Sequence, residues 1–136
     1  MKKNKFEATE HEIQSAYFEW VRAQANNDSR FEMIVAIPNG SHLKNGGYSF
    51  KRLYDEGFAV GFPDVLIAFP SSGWHGLFIE VKSYGGKLGH SQAEWAKRLT
   101  AAGYCHRVCE GIDELINLTK SYLLGGVASG TNEKVR

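Results

Sequence analysis

Asp64, Glu80 and Lys82 are ionic residues placed in or beside two short apolar runs, residues 65–69 and 77–81, where a strand pattern requires core side chains. Pro70-Ser71-Ser72-Gly73 lies between the runs, so the stretch predicts two strands of a hairpin. If the hairpin is symmetric about Ser72, Asp64 faces Glu80 directly, with Cβ atoms roughly 5 Å apart. Two carboxylates at that separation repel by about 3 kcal/mol at an effective dielectric near 20. A hard divalent cation held by oxygens relieves that repulsion. Mg²⁺ typically takes only one or two protein carboxylates plus substrate phosphates, which suits Asp64 and Glu80. Lys82 shares the face of Glu80, two residues on. It would hold the attacking water, help deprotonate it, or bind a phosphate oxygen. The simpler alternative is a surface hairpin with a Glu80–Lys82 salt bridge. Pro63-Asp64 across the turn favours the site, because conflict between local pattern and local chemistry marks function.

The elements that must carry these residues follow in order. Thr9 and Glu12 form a T-x-x-E capping box, and Ile13, Ala16, Tyr17, Trp20 and Val21 recur at helical spacing, so a helix is expected over 10–25. Glu10 and Gln14 are i,i+4 neighbours beside its apolar stripe. Residues 31–37 predict a strand, closed by the Pro38-Asn39-Gly40 turn. Residues 41–49 predict a loop. Residues 50–56 predict a short helix with Leu53 and Tyr54 inward and Gly57 as its stop. After the hairpin and a Gly-rich link, Ser91 and Glu94 suggest a second capping box and a helix from 91 or 92, ended by Gly103. Its expected apolar face is Ala93, Trp95, Ala96, Leu99 and Ala102. A strand over 104–109 and a helix over 113–123, N-capped by Asp113 and burying Leu115, Ile116, Leu118 and Leu123, complete the chain. This order predicts an α/β fold with a mixed central sheet of four or so strands. The hairpin is antiparallel, and the crossover from 82 to 104 is right-handed and parallel. Residues 1–124 form one domain and 125–136 a flexible tail.

The 136 residues suit a single domain. With 43% hydrophobic and 23% charged residues, the chain has the balance of a globular rather than a disordered protein. The sequence has no apolar run long enough to cross a membrane and no secretory h-region, which points to the cytosol. The formal net charge of +1 neither favours nor excludes nucleic acid. Lys44, Lys51, Arg52, Lys82, Lys87, Lys97 and Arg98 fall between residues 40 and 100; they either line one face or are ordinary solvated surface charges, the commoner case. Cys105 and Cys109, four apart in a strand, are too distant for a disulfide, and His106 points to the opposite face, short of a four-ligand zinc site, so both cysteines are expected to be buried, reduced and structural.

Pro63-Asp64 followed by Glu80-Val81-Lys82 is similar to the PD-(D/E)-x-K motif of restriction-endonuclease-like nucleases. The wider set resembles the VRR-NUC family, the virus-type replication-repair nucleases: Pro38-Asn39-Gly40, Gly57, Gly61-Phe62-Pro63-Asp64, Glu80 and Lys82, Gln92 and Gly103. The match runs over about residues 9–123, and departs from the family where Gly89, not Ser or Thr, follows Leu88. The resemblance implies a restriction-endonuclease-like core and a Mg²⁺- or Mn²⁺-dependent endodeoxyribonuclease. It implies that Asp64, Glu80 and the Val81 carbonyl hold the metal, which would polarise a phosphodiester and lower the pKa of a bound water. It implies too that Glu10 completes the outer metal shell, and that Gln14 and Gln92 hold site geometry or a phosphate oxygen. Asn39 would lie near the site, and Lys44, Lys51, Arg52 and Lys87 would contact DNA. Stand-alone members imply a homodimer acting on branched DNA such as Holliday junctions, in a bacterial or phage-infected cytosol. The rivals are a nuclease for flaps, single strands or ordinary duplex, an inactive nucleic-acid-binding module, and a hydrolase of small phosphoesters.

Overall fold

A computed structural model of the chain describes residues 8–38 and 47–127. Asn39 and Lys44 lie outside the described residues, as does most of the loop expected over 41–49.

Helix α1, Glu10–Ala25, starts where the capping box predicts. The Glu12 N–H donates to Thr9 Oγ1 at 3.1 Å, and the Thr9 N–H returns to the Glu12 carboxylate at 3.2 Å. Ile13, Tyr17 and Val21, at four-residue spacing, are its buried stripe. Ala16 is exposed and Trp20 half-buried, so the stripe is narrower than expected. Glu10, Gln14 and Phe18, also four apart, form the adjoining stripe.

The strand expected over 31–37 is shorter. Asp28 accepts the Arg30 N–H at 3.0 Å and pairs with its guanidinium at 2.7 Å, which caps a 3₁₀ turn over Ser29–Met33. That turn consumes the first half of the run and buries Phe31, leaving β1 as Ile34–Ala36. Helix α2, Gly47–Asp55, begins three residues before the expected start. Tyr54, expected to face inward, is 62% exposed, while Leu53 is half-buried. The Phe58 N–H returns to the Leu53 carbonyl and the Gly57 N–H to that of Tyr54. This is a Schellman closure with Gly57 at φ +103.

Strands β2, Val65–Ile67, and β3, Leu77–Lys82, pair antiparallel with Val65 opposite Ile79 and Ile67 opposite Leu77. That register is centred on Ser72, as expected, but by a different route. The tight turn is Ser72-Gly73, both with positive φ, closed by paired Ser71–Trp74 backbone bonds. Three residues, 68–70, then oppose two, 75–76, and this extra residue shifts the ladder by one.

Strand β4, Cys105–Glu110, lies parallel to β3, with α3, His90–Ala101, as the crossover. The four strands run β1-β2-β3-β4, making β3 an interior strand with all six residues buried. One sheet face carries Val65, Ile67, Leu77, Ile79, Val81, Cys105 and Cys109 against α1 and α4, Ile112–Leu123. On the other face Phe78 packs edge-on against Phe62 and Tyr104, and Phe62 against Trp95 of α3.

Two further helix starts differ from expectation. Gly89, not Ser91, is the N-cap of α3, because the Gln92 carboxamide accepts the Gly89 N–H at 2.8 Å. Gly111, not Asp113, precedes α4, since φ +90 there suits glycine and Glu114 accepts the Glu110 N–H. On α3, Ala96 and Leu99 are buried, Ala93 and Trp95 half-buried, and Ala102 exposed at the C-cap. On α4, Leu115 and Leu123 are buried, but Ile116 and Leu118 only half so.

The two cysteines form no disulfide with each other and are buried on the α1/α4 face. His106, one residue on from Cys105, pairs in register with Phe78 on the opposite face. Of the tail expected over 125–136, residues 128–136 lie outside the described residues, while Val127 is buried and its N–H donates to Ser72 Oγ. No helix among the described residues is long and apolar enough to cross a membrane.

Candidate active site

Asp64 stands one residue before β2, behind a fully buried Pro63. Its backbone is held on both sides: the Ile37 N–H donates to its carbonyl at 2.8 Å, and its own N–H donates to the Ile79 carbonyl at 3.1 Å. Its side chain turns inward, where Oδ2 accepts the Val81 N–H at 2.8 Å. The carboxylate thus takes the place of a ladder carbonyl at the strand's end. In a strand, the N–H and C=O of one residue point to the same neighbour. The Val81 carbonyl therefore faces the Asp64 side as well.

Glu80 is 2% exposed. Its Oε2 accepts from Gln92 Nε2 at 3.2 Å, while Oε1 is buried with no hydrogen-bond partner among the described residues. Burial raises the Glu80 pKa far above the carboxylate range. The adjoining Asp64 carboxyl raises it further, Lys82 opposes, and Glu10 adds a smaller push upward. Lys82 is also buried, and its Nζ donates to Gln92 Oε1 at 3.0 Å. Gln92 therefore bridges Glu80 and Lys82, with its N–H toward the acid and its oxygen toward the ammonium. The Gly89 N–H on the same oxygen locks that orientation at the third position of α3.

These residues fit a hard divalent cation. Two abutting buried carboxyls, an orphaned carboxylate oxygen and a backbone carbonyl on the same side form an oxygen donor set that no protein group neutralises fully. Among the described residues, no three Asp, Glu, His or Cys side chains converge closely enough to enclose an ion by themselves. The donor set is thus two carboxylates plus backbone, the economy usual for Mg²⁺.

Glu10 and Gln14 line the groove that opens from Asp64, Glu80, Val81 and Gln92. Glu10 is exposed in the first turn of α1, whereas Glu12 is spent on the cap. The structure thus brings together Asp64, Glu80, Val81, Gln92, Glu10 and Gln14 around one groove, with Lys82 attached through Gln92. The expected DNA-contacting cations sit apart. Lys51 pairs with Asp55 at 2.8 Å and Arg52 with Glu56 at 3.4 Å along the exposed side of α2, and Lys87 is exposed on the link before α3.

Sequence reasoning missed the aromatic wall of this groove, including Phe18, Phe58 and Phe62. The signal was present: Phe18 continues the Glu10–Gln14 stripe, and Phe62 precedes Pro63-Asp64. It also missed the seat of α3. Gly61, at φ +83, lies so close that a Cβ there would fall 2.5 Å from Ser91 Oγ, one residue from Gln92.

The model of the VRR-NUC domain matches residues 4–113. A solved structure described as a VRR_NUC domain protein is 29% identical, with a TM-score of 0.71, over 94% of this chain and 98% of that one. No curated protein matches the chain. The family model spans most of the sequence and includes Glu10, Asp64, Glu80, Lys82 and Gln92, so the chain belongs to the VRR-NUC family of nuclease-type domains.

Proposed function

We propose that this protein is a metal-dependent DNA endonuclease that hydrolyses phosphodiester bonds. The observation that carries this reading is the buried Asp64–Glu80 pair, with Glu80 Oε1 unpartnered and Lys82 tethered beside it by Gln92. Asp64, Glu80 and the Val81 carbonyl would hold Mg²⁺ or Mn²⁺, with Glu10 in the outer shell. The ion would supply a Lewis acid for the scissile phosphate and a lowered pKa for the attacking water. Gln92 fixes the Lys82 ammonium, which has three donors and spends one on that amide. The others are free to orient the attacking water or a phosphate oxygen. Gln14, on the groove wall beside Glu10, would hold a phosphate oxygen or the site's geometry. Lys87, Lys51 and Arg52 would bind DNA phosphates farther out, and the family resemblance assigns Asn39 and Lys44 to DNA contact as well.

Branched DNA such as a Holliday junction as substrate, and a homodimer as the working unit, rest on family membership alone. The test is cleavage of a labelled four-way junction and a matched linear duplex, each with Mg²⁺, Mn²⁺ or EDTA. Metal-dependent cutting with preference for the junction is expected. Equal cutting of both would remove the junction preference and keep the nuclease. Cutting of neither, with binding retained, would overturn the nuclease in favour of a binding module.

A further inference from the structure

The groove beside the carboxylates has a volume of about 1300 Å³ and an unusual lining for a polyanion. Its described charged residues are Glu10, Glu32, Asp64 and Glu80 against one guanidinium, Arg22. Lys51 and Arg52 do not line it and are paired elsewhere. A groove that tracks a phosphate backbone is lined by lysine and arginine. Among its described residues, this one offers a phosphate little beyond Arg22 and the seat of a bound cation.

What it offers instead is aromatic surface. Phe18, Phe31, Phe50, Phe58 and Phe62, five of the chain's eight phenylalanines, line it. The rings are braced. Phe58 meets Phe50 edge-on at 5.5 Å, and Phe62 is held against Trp95 at 4.9 Å and Phe78 at 5.3 Å. Phe58 is half-buried and lies outside the core cluster, so the fold does not depend on its full burial.

We propose that this groove receives unpaired nucleobases flanking the scissile phosphate, stacked on the wall that carries Phe58 and Phe62. The uncharged π-face of a base suits an acidic, aromatic channel that a phosphate track does not. In a duplex those faces are covered by neighbouring base pairs. The substrate class is therefore DNA with a single-stranded segment at the cleaved position, as in a flap or an opened branch point. The inference rests on the nuclease reading above and narrows it.

The experiment uses the full chain and a duplex with a single-stranded tail, mapped for its cleaved phosphate. The flanking nucleotide is then replaced by an abasic residue, and kcat/KM with Mg²⁺ is compared for wild type and Phe58→Ala. Loss of one stacked base is expected to cost wild type about five- to hundredfold. Phe58→Ala should lose a similar factor on the intact strand and little more on the abasic one, because the two changes remove one interaction. Unchanged cutting of the abasic strand by wild type would overturn the inference, and that arm needs no protein variant. Losses that simply multiply, or duplex cut as fast as the tailed strand, would overturn it too. Metal-dependent cutting with no abasic effect leaves the nuclease intact and sinks only the stacking. Absence of cutting with every metal and substrate sinks both.

Discussion

Lys82 separates chemistry from folding most cleanly. Lys82 Nζ makes its hydrogen bond to Gln92, which keeps Gly89 and Glu80 as partners when the lysine is removed. Lys82→Ala is therefore expected to fold and to lose cleavage by on the order of 10²–10⁴-fold, the range for a group that orients or transfers a proton. Normal cleavage by a folded variant would remove Lys82 from the chemistry. His106 makes a different prediction on the same face of β3 and β4. It is 1% exposed, and burial pushes its pKa down to about 4, with Arg107 adding to the drop. Between pH 6.5 and 4 the unfolded chain binds a proton that the native imidazole refuses. Stability is thus full above pH 6.5 and falls as pH drops through that window, by about 3 kcal/mol at the acid end. Glu80 works oppositely in the metal-free protein, since its raised pKa favours the native state as pH falls. Comparing His106→Leu with wild type at each pH cancels that contribution. Urea midpoints at pH 7 and 4.5 should fall less in the variant, and equal losses would exclude His106 as the source.

At the scale of elements, the site depends on where α3 begins. Gln92 reaches Glu80 and Lys82 only because Gly89 caps the helix and Gly61 lets the first turn approach. A Cβ at Gly61 would lie 2.5 Å from Ser91 Oγ and 2.6 Å from the Ser91 carbonyl carbon, at a φ of +83. Gly57 has a φ of +103 with nothing within 4 Å of a Cβ, so it isolates the backbone cost from the collision. Gly61→Ala should lose about 1–3 kcal/mol by urea unfolding, more than Gly57→Ala, and should lose cleavage beyond what its unfolded fraction explains. Equal effects of the two substitutions would show that the Gly61–Ser91 approach positions nothing. Elements whose ends are set by neighbouring side chains in sequence were legible: Thr9 and Glu12 fix the start of α1. The hairpin register was legible through a compensation, since the Ser72-Gly73 turn and the extra residue before it add to the symmetry expected about Ser72. The end of the 3₁₀ turn was not, because Asp28 closing on Arg30 competes with a good strand former at Phe31.

Across the whole molecule, the sequence hinted at single members of the groove wall but not at the groove, since Phe18, Phe58 and Phe62 are far apart in the chain and come to line one groove only once α1, the segment before Asp64 and the sheet are assembled. The acidic pair was legible because it opposes itself across one hairpin. Its cost is a property of the assembled domain, and that makes it measurable without any substrate. Two abutting carboxyls inside the fold raise Glu80's pKa and destabilise the metal-free native state where both ionise. A cation that binds only the native site reverses this. At about 100 times its Kd, Mg²⁺ stabilises by about 2.7 kcal/mol, on the order of 5–10 °C in Tm for a domain of this size. Asp64→Asn should remove that gain. Without metal, burial keeps Glu80 protonated at pH 8 in both proteins, so the substitution changes Tm little there, and with metal it gains almost nothing. Calorimetry at pH 8 in EDTA and in Mg²⁺, on both proteins, reads all four states. A Mg²⁺ shift that survives Asp64→Asn would place the ion elsewhere. A clear rise in Tm for the variant in EDTA would mean that Glu80 is ionised beside Asp64 in the metal-free protein, against the burial argument.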